Sequence, residues 1–391
     1  MIEANRGKLI ELEALRGVAA VIVMLHHFLV VVAPRLHGRN FPDDPIALVR
    51  TPLFALVNGT AAVSIFFVLS GFVLTMRAMQ RHDWRQLVAG AARRWPRLVP
   101  LVVTTNILSA AFVLLGLYQD RTWFGTGVFD SDRSVVGSAL IDGLFTTFFH
   151  GSARFNTVLW TMHYELFGSL AAYATALILI FQRSFALAML TGTIVLVLFA
   201  LFAGDGGVYY AMMVSGVLIA RIYIERERVA GALAFMQPWC TPIVLVTAAL
   251  AIMLCGYEGY SRPTGFYAFM APYASPEIEP VLHGIAAVAI VALSLFCEPL
   301  RRPLARPAAA LLGRLSFPLY LVHLPILLAL VTPVHSRLDA SLGAIVAAPL
   351  AFLLFAALTL AAAYPLARFD EWWVGKLHEM TSRVVTRVRT A

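Results

Sequence analysis

Apolar stretches of about 20 residues recur along the whole chain, each long enough to cross a hydrocarbon core about 30 Å thick. They fall near 14-33, 56-76, 97-117, 157-182, 184-202, 206-224, 236-256, 279-297, 315-333 and 343-367. A segment in lipid has no water to satisfy its backbone, so stretches of this length must be helices. The sequence therefore predicts an all-α, polytopic integral membrane protein with about ten transmembrane helices. Hydrophobic residues make up 60% of the 391 and charged residues only 13%, a balance that a water-soluble domain of this size has no interior to hide. The first stretch follows Glu3, Arg6, Lys8, Glu11 and Glu13 without a small-residue cleavage pattern, so it is expected to remain as a spanning helix rather than leave as a signal peptide. With no internal repeat, low-complexity tract or separate soluble stretch, the simplest division is one membrane domain over 1-391.

The distribution of charge gives the orientation. An even number of crossings puts both termini on one side. If that side is the cytoplasm, its loops and tails carry Arg6, Lys8, Arg16, the Arg77 to Arg97 and Arg301 to Arg314 clusters, and Arg383, Arg387 and Arg389 among others, 22 of the 30 basic residues. The opposite face keeps eight, including Arg121, Arg133 and Arg154, beside Asp43, Asp44, Asp120, Asp130, Asp132 and Glu258. Lysine and arginine accumulate on cytoplasmic loops, so the split supports the span count and cytoplasmic termini together. It also accounts for the net charge of +8 without nucleic acid as a partner. Cys240, Cys255 and Cys297 lie in or beside apolar stretches with no CxxC spacing, which indicates neither a disulfide framework nor a metal site. Two outer loops, about 118-156 and 257-278, are long, and the first contains a stretch, Val135 to Phe149, that suits the interface or a re-entrant segment.

Ionisable groups at membrane depth are costly unless paired or facing a polar cavity, so each is a functional candidate. In span one, Arg16 and His27 are eleven residues apart, which at about 100° per residue brings them within about 20° of one face and about 16 Å apart along the axis. His26 lies about 80° off that stripe. Span four opens with Trp160, His163 and Glu165; the last two point about 200° apart, so Glu165 is taken as the cavity residue and His163 as a packing contact. Span nine places His323 between Pro318 and Pro325, which free backbone groups that must find polar partners. In span two, Ser70 and Gly71 provide small surfaces for close helix packing. The following loop ends in RRWPRLVP, where Arg93, Arg94 and Arg97 serve either topology or phosphate binding, since guanidinium forks match phosphate geometry.

In order, LRGVAAVIVMLHHF at 15-28, FFVLSGFVLT at 66-75, RRWPRLVP at 93-100, LWTMHYELF at 159-167 and GRLSFPLYLVHLP at 313-325 resemble the acyltransferase 3 family of membrane O-acyltransferases. The resemblance covers about 9-368 and leaves a short cytoplasmic tail at 369-391. Arg16 and His27 match the family's Arg-x10-His; Trp160 and Glu165 match a Trp-Ser-Leu-x-x-Glu-like segment in which Thr161 and Met162 replace Ser-Leu; Ser316, Tyr320 and His323 match a later segment, with Phe317 where Tyr is common. YPLARFDEWW at 364-373 lacks the Pro of a family segment that often ends in Glu-Arg-Pro, so no role is carried to it.

The resemblance implies transfer of an acyl group, acetyl foremost, from cytoplasmic acetyl-CoA or another acyl-CoA to a hydroxyl of an extracytoplasmic or lipid-linked carbohydrate, in a bacterial-type inner membrane. On this reading Arg93, Arg94 and Arg97, with Ser70, hold the donor, whose pantetheine arm enters a cavity between spans one, two, four and nine. Arg16 pairs with a further phosphate or polarises the arm. His27 is the general base, its ordinary pKa of about 6.5 suiting that task, or alternatively takes the acyl group covalently. Glu165 orients His27, His323 completes the cavity or protonates the leaving thiolate, and Asn156, Trp160 and Tyr320 contact the acceptor. The bilayer and acyl-CoA are the expected partners, with a second copy or glycan-assembly proteins also open, and no resident cofactor or metal is needed. A secondary transporter would share the spans, buried charges and interrupted helices. It would explain neither the arginine cluster nor Arg-x10-His, and an inactive scaffold would leave His27 and Glu165 without purpose.

Overall fold

The computed structural model describes residues 9–129 and 134–390, with side chains throughout except at 205, 307–310 and 382–390. Glu3, Arg6, Lys8, Asp130, Asp132 and Arg133, all used above, lie outside the described residues, as do the side chains of Arg383, Arg387 and Arg389. Among the described residues there is no strand, and ten helices are long and apolar enough to cross a membrane. They are α1 (Ile10–Val32), α2 (Gly59–Gln80), α3 (Trp84–Leu114), α4 (Trp160–Ile180, entered through a turn at Thr157–Leu159), α5 (Phe185–Phe202), α6 (Gly207–Ile224), α7 (Cys240–Cys255, entered through a turn at Ala234–Trp239), α8 (Ile278–Phe296), α9 (Pro307–Ile326) and α10 (Ala344–Thr390). A π-helical turn at Leu327–Val331 and a helix at Thr332–Leu342 continue α9.

Two boundaries differ from expectation. RRWPRLVP is not in a loop: α3 begins at Trp84, and only Arg81–Asp83 separates it from α2. Likewise α10 does not stop near 367 but runs on through the supposed tail for 47 residues in all. In both places the apolar pattern ends before the helix does, because charged turns beyond the hydrocarbon core still form backbone hydrogen bonds.

The chain divides into two compact units. The first comprises the chain up to Asp83 and from Ala174 to Ser316. In it α2 crosses α6 at Gly71 and Gly216, where a methyl on Gly71 would overlap the Met213 carbonyl and one on Gly216 the Val68 carbonyl. The small surface expected in span two therefore lets two backbones touch. Asn58 caps α2, accepting from the Thr60 and Ala61 N–H groups, while its Nδ2 donates to the carbonyls of Cys255 (2.7 Å) and Tyr257 (3.0 Å).

The second unit comprises Trp84 to Tyr173 and the chain from Phe317 onward. Its connection between α3 and α4 folds the Val135–Phe149 stretch into short helices and a π turn against α3. Buried Asp142 anchors this segment by accepting from Arg154 Nε (3.0 Å) and a terminal nitrogen (2.8 Å). Pro100 in α3 and Pro325 in α9 are tolerated because the carbonyl each one frees finds a donor. Pro100 has no N–H for the Pro96 carbonyl, which accepts from Trp373 Nε1 at 2.9 Å. Pro325 leaves the Leu321 carbonyl free for Thr105 Oγ1 and Asn156 Nδ2, both at 2.8 Å.

Candidate active site

In the first unit, α1 carries Arg16 and His27, both half-buried, and α2 carries Ser70. His27 Nδ1 lies 3.0 Å from the Val23 carbonyl one turn earlier. Only a protonated Nδ1 can donate to that oxygen, so the neutral ring presents its lone pair at Nε2. His26 faces elsewhere, as its angular offset requires: its Nδ1 is 3.1 Å from the Val57 carbonyl and 3.2 Å from His37 Nε2. His37 in turn accepts from the Arg39 backbone N–H. Its burial, with the charge of Arg39 nearby, holds His37 down at about 3, so it is neutral at physiological pH.

Sequence reasoning did not single out a second buried group in this unit. Glu279 Oε1 accepts from Thr60 Oγ1 at 2.6 Å and lies 3.7 Å from His283 Nδ1, while His283 Nε2 is 2.9 Å from the Tyr257 carbonyl. Both side chains are almost wholly buried. The available signal was an acid and a histidine four residues apart, hence on one face, within an apolar stretch. Glu258, read as an ordinary loop acid, is also buried and accepts from Arg39 Nε at 2.9 Å.

In the second unit, Glu165 and the arginine cluster meet. Arg94 is buried, and its guanidinium pairs with Glu165 and donates from Nε to Ser169 Oγ at 3.0 Å. Glu165 and Ser169 are one turn apart on α4, so the two contacts fix the plane of the fork. Arg93 donates to Thr381 Oγ1 at 2.8 Å, and Arg97 lies 3.9 Å from Asp370. His163 turns away from Glu165, with Nδ1 2.8 Å from the Phe148 carbonyl, as the 200° separation expects. Trp160 stacks edge-on with Tyr164. Tyr320 OH donates to the Val158 carbonyl at 2.7 Å and lies 2.9 Å from Thr161 Oγ1. Buried Asn156 ties Thr105 to the Leu321 carbonyl. His323 Nδ1 sits 2.8 Å from the Tyr320 carbonyl, which again leaves Nε2 as the basic nitrogen.

Each unit thus holds part of the expected set. Arg16, His27 and Ser70 belong to the first, and Arg93, Arg94, Arg97, Asn156, Trp160, Glu165, Tyr320 and His323 to the second. A family model described as an acyltransferase domain, that of the acyltransferase 3 family, matches residues 9–368. No curated protein and no solved structure gives a significant match.

Proposed function

Because the chain belongs to the acyltransferase 3 family, it is a membrane acyltransferase, and we propose that it moves an acetyl-class acyl group from acyl-CoA at the cytoplasmic face to a hydroxyl of an extracytoplasmic or lipid-linked carbohydrate. The observation that carries this reading is the hydrogen bond between His27 Nδ1 and the Val23 carbonyl, which makes Nε2 the nitrogen able to receive a proton. In the transfer, the acceptor hydroxyl gives its proton to His27 Nε2 as its oxygen bonds to the thioester carbon. The carbon–sulfur bond breaks, and the thiolate of CoA takes the proton. Arg93, Arg94 and Arg97 receive the donor's phosphates, as planar forks suit them. Arg16 and Ser70 serve the donor arm. Trp160, Asn156 and Tyr320 are assigned to the acceptor, and His323 to completing the site, so that the proton given to the thiolate is the one His27 took and the base is restored. The membrane is the bacterial-type inner membrane, with both termini cytoplasmic.

Inverted membrane vesicles supplied with acetyl-CoA labelled in the acetyl group test this function. Label appearing in a glycan fraction, and only when the protein is present, is the expected result. Movement of an unmodified glycan or metabolite across the membrane, with no acyl label transferred, would replace the reading with that of a transporter.

A further inference from the structure

Arg94 and Glu165 were each expected at a reacting substrate, yet in the second unit they engage one another. Their side chains are 6% and 15% exposed, so the pair is largely out of water. A desolvated ion pair gives little net stability, because the attraction is offset by the cost of stripping both ions of solvent. It remains sensitive to any competing anion that reaches it. Arg97 also faces a carboxylate, Asp370, at 3.9 Å. The three arginines of RRWPRLVP therefore meet two acids, and a cluster of nominal charge +3 carries a net charge near +1 before any substrate binds.

We propose that the Arg94–Glu165 pair is an exchange lock on this site: a phosphate of the acyl donor takes the Arg94 fork, and the Glu165 carboxylate is released only in the donor-bound enzyme. This inference rests on the donor reading above. Phosphate is the stronger competitor because it offers more acceptor oxygens and more charge to the same planar fork. Ser169 makes the exchange local. Its hydroxyl donates to the Leu166 carbonyl at 2.8 Å and presents a lone pair to Arg94 Nε, so the guanidinium stays in place while its terminal nitrogens change partner. The lock makes release of the Glu165 carboxylate conditional on a phosphate-bearing molecule at the arginine cluster.

The test is equilibrium binding of CoA, and separately of pantetheine, to the purified full-length protein in lipid nanodiscs. Removing the competing carboxylate in Glu165→Gln should tighten CoA about tenfold, a change of about 1.4 kcal/mol. Glu165→Asp keeps the charge but shortens the arm, so it should tighten CoA by a few-fold even if Glu165→Gln folds poorly. Arg94→Gln should weaken CoA. None of these variants should change the affinity for pantetheine, which has no phosphate. A purely structural ion pair predicts the opposite sign, with CoA binding weakened or unchanged in both Glu165 variants, and that result would overturn the lock while leaving the donor reading intact. Failure of the wild type to bind CoA would overturn both.

Discussion

Asn58 answers several backbone groups at once: its Oδ1 accepts from the first turn of α2, and its Nδ2 donates to the carbonyls of Cys255 and Tyr257. Asn58→Ala removes a helix cap, takes the side-chain donor from the Cys255 carbonyl and leaves the Tyr257 carbonyl with His283 alone, for an expected loss of about 2–4 kcal/mol. Thermal unfolding in detergent should show it, and an unchanged midpoint would mean that other donors replace the amide. His37 gives a pH dependence. The unfolded chain binds a proton at this residue near pH 6.5, whereas the folded protein resists it until about 3. Its contribution is therefore complete above about pH 6.5. It declines as the pH falls towards 3, with a limiting slope of about 1.4 kcal/mol per pH unit. His37→Asn should flatten the fall in heat stability between pH 7 and 5; a parallel curve would assign that loss to other groups. Single residues were legible in the sequence where depth made them conspicuous, as with His27 and Glu165, or where angle decided, as with His26 and His163. Asn58 stands at the first turn of an apolar stretch, where polar residues are ordinary, and Glu279 needed its partner His283 to be noticed. The Arg94–Glu165 contact joins residues 71 apart in sequence, and no local pattern encodes it.

Elements were legible as spans because hydropathy reports what lies in lipid, but their ends were not, because hydrogen-bond partners set where a helix stops. RRWPRLVP reads as a loop on charge and proline content, yet it is helical because Trp373 satisfies the Pro96 carbonyl that Pro100 leaves open. That explanation predicts a coupling. Trp373→Phe should cost about 1 kcal/mol in the wild type and nearly nothing when Pro100→Ala restores a backbone N–H to the Pro96 carbonyl. Additive effects in the double-mutant cycle would contradict it. The α2–α6 crossing gives a second prediction at this scale. Gly71→Ala forces apart two backbones already in contact, which should cost about 1–3 kcal/mol and lower heat stability in detergent. A neutral result would show that the helices slide to make room.

For the molecule as a whole, the all-helical class, the ten spans and family membership could all be read from sequence, since each is carried by patterns repeated along the chain. The division into two units could not, because it depends on which helices pack together. The proposed orientation follows from the 22 to 8 split of basic residues. In a background lacking the native cysteines, Arg301→Cys should react with an impermeant thiol reagent only from the cytoplasmic side and Arg121→Cys only from the other; reversed labelling would invert the topology. The central claim is that a base on α1 drives acyl transfer. Its most direct test is the rate of label transfer from acetyl-CoA to glycan in vesicles holding equal amounts of folded wild type, His27→Ala or His26→Ala. Loss of transfer by a factor of about 10² or more in His27→Ala alone is the predicted result, in keeping with removal of a general base. Equal rates in wild type and His27→Ala would contradict the account.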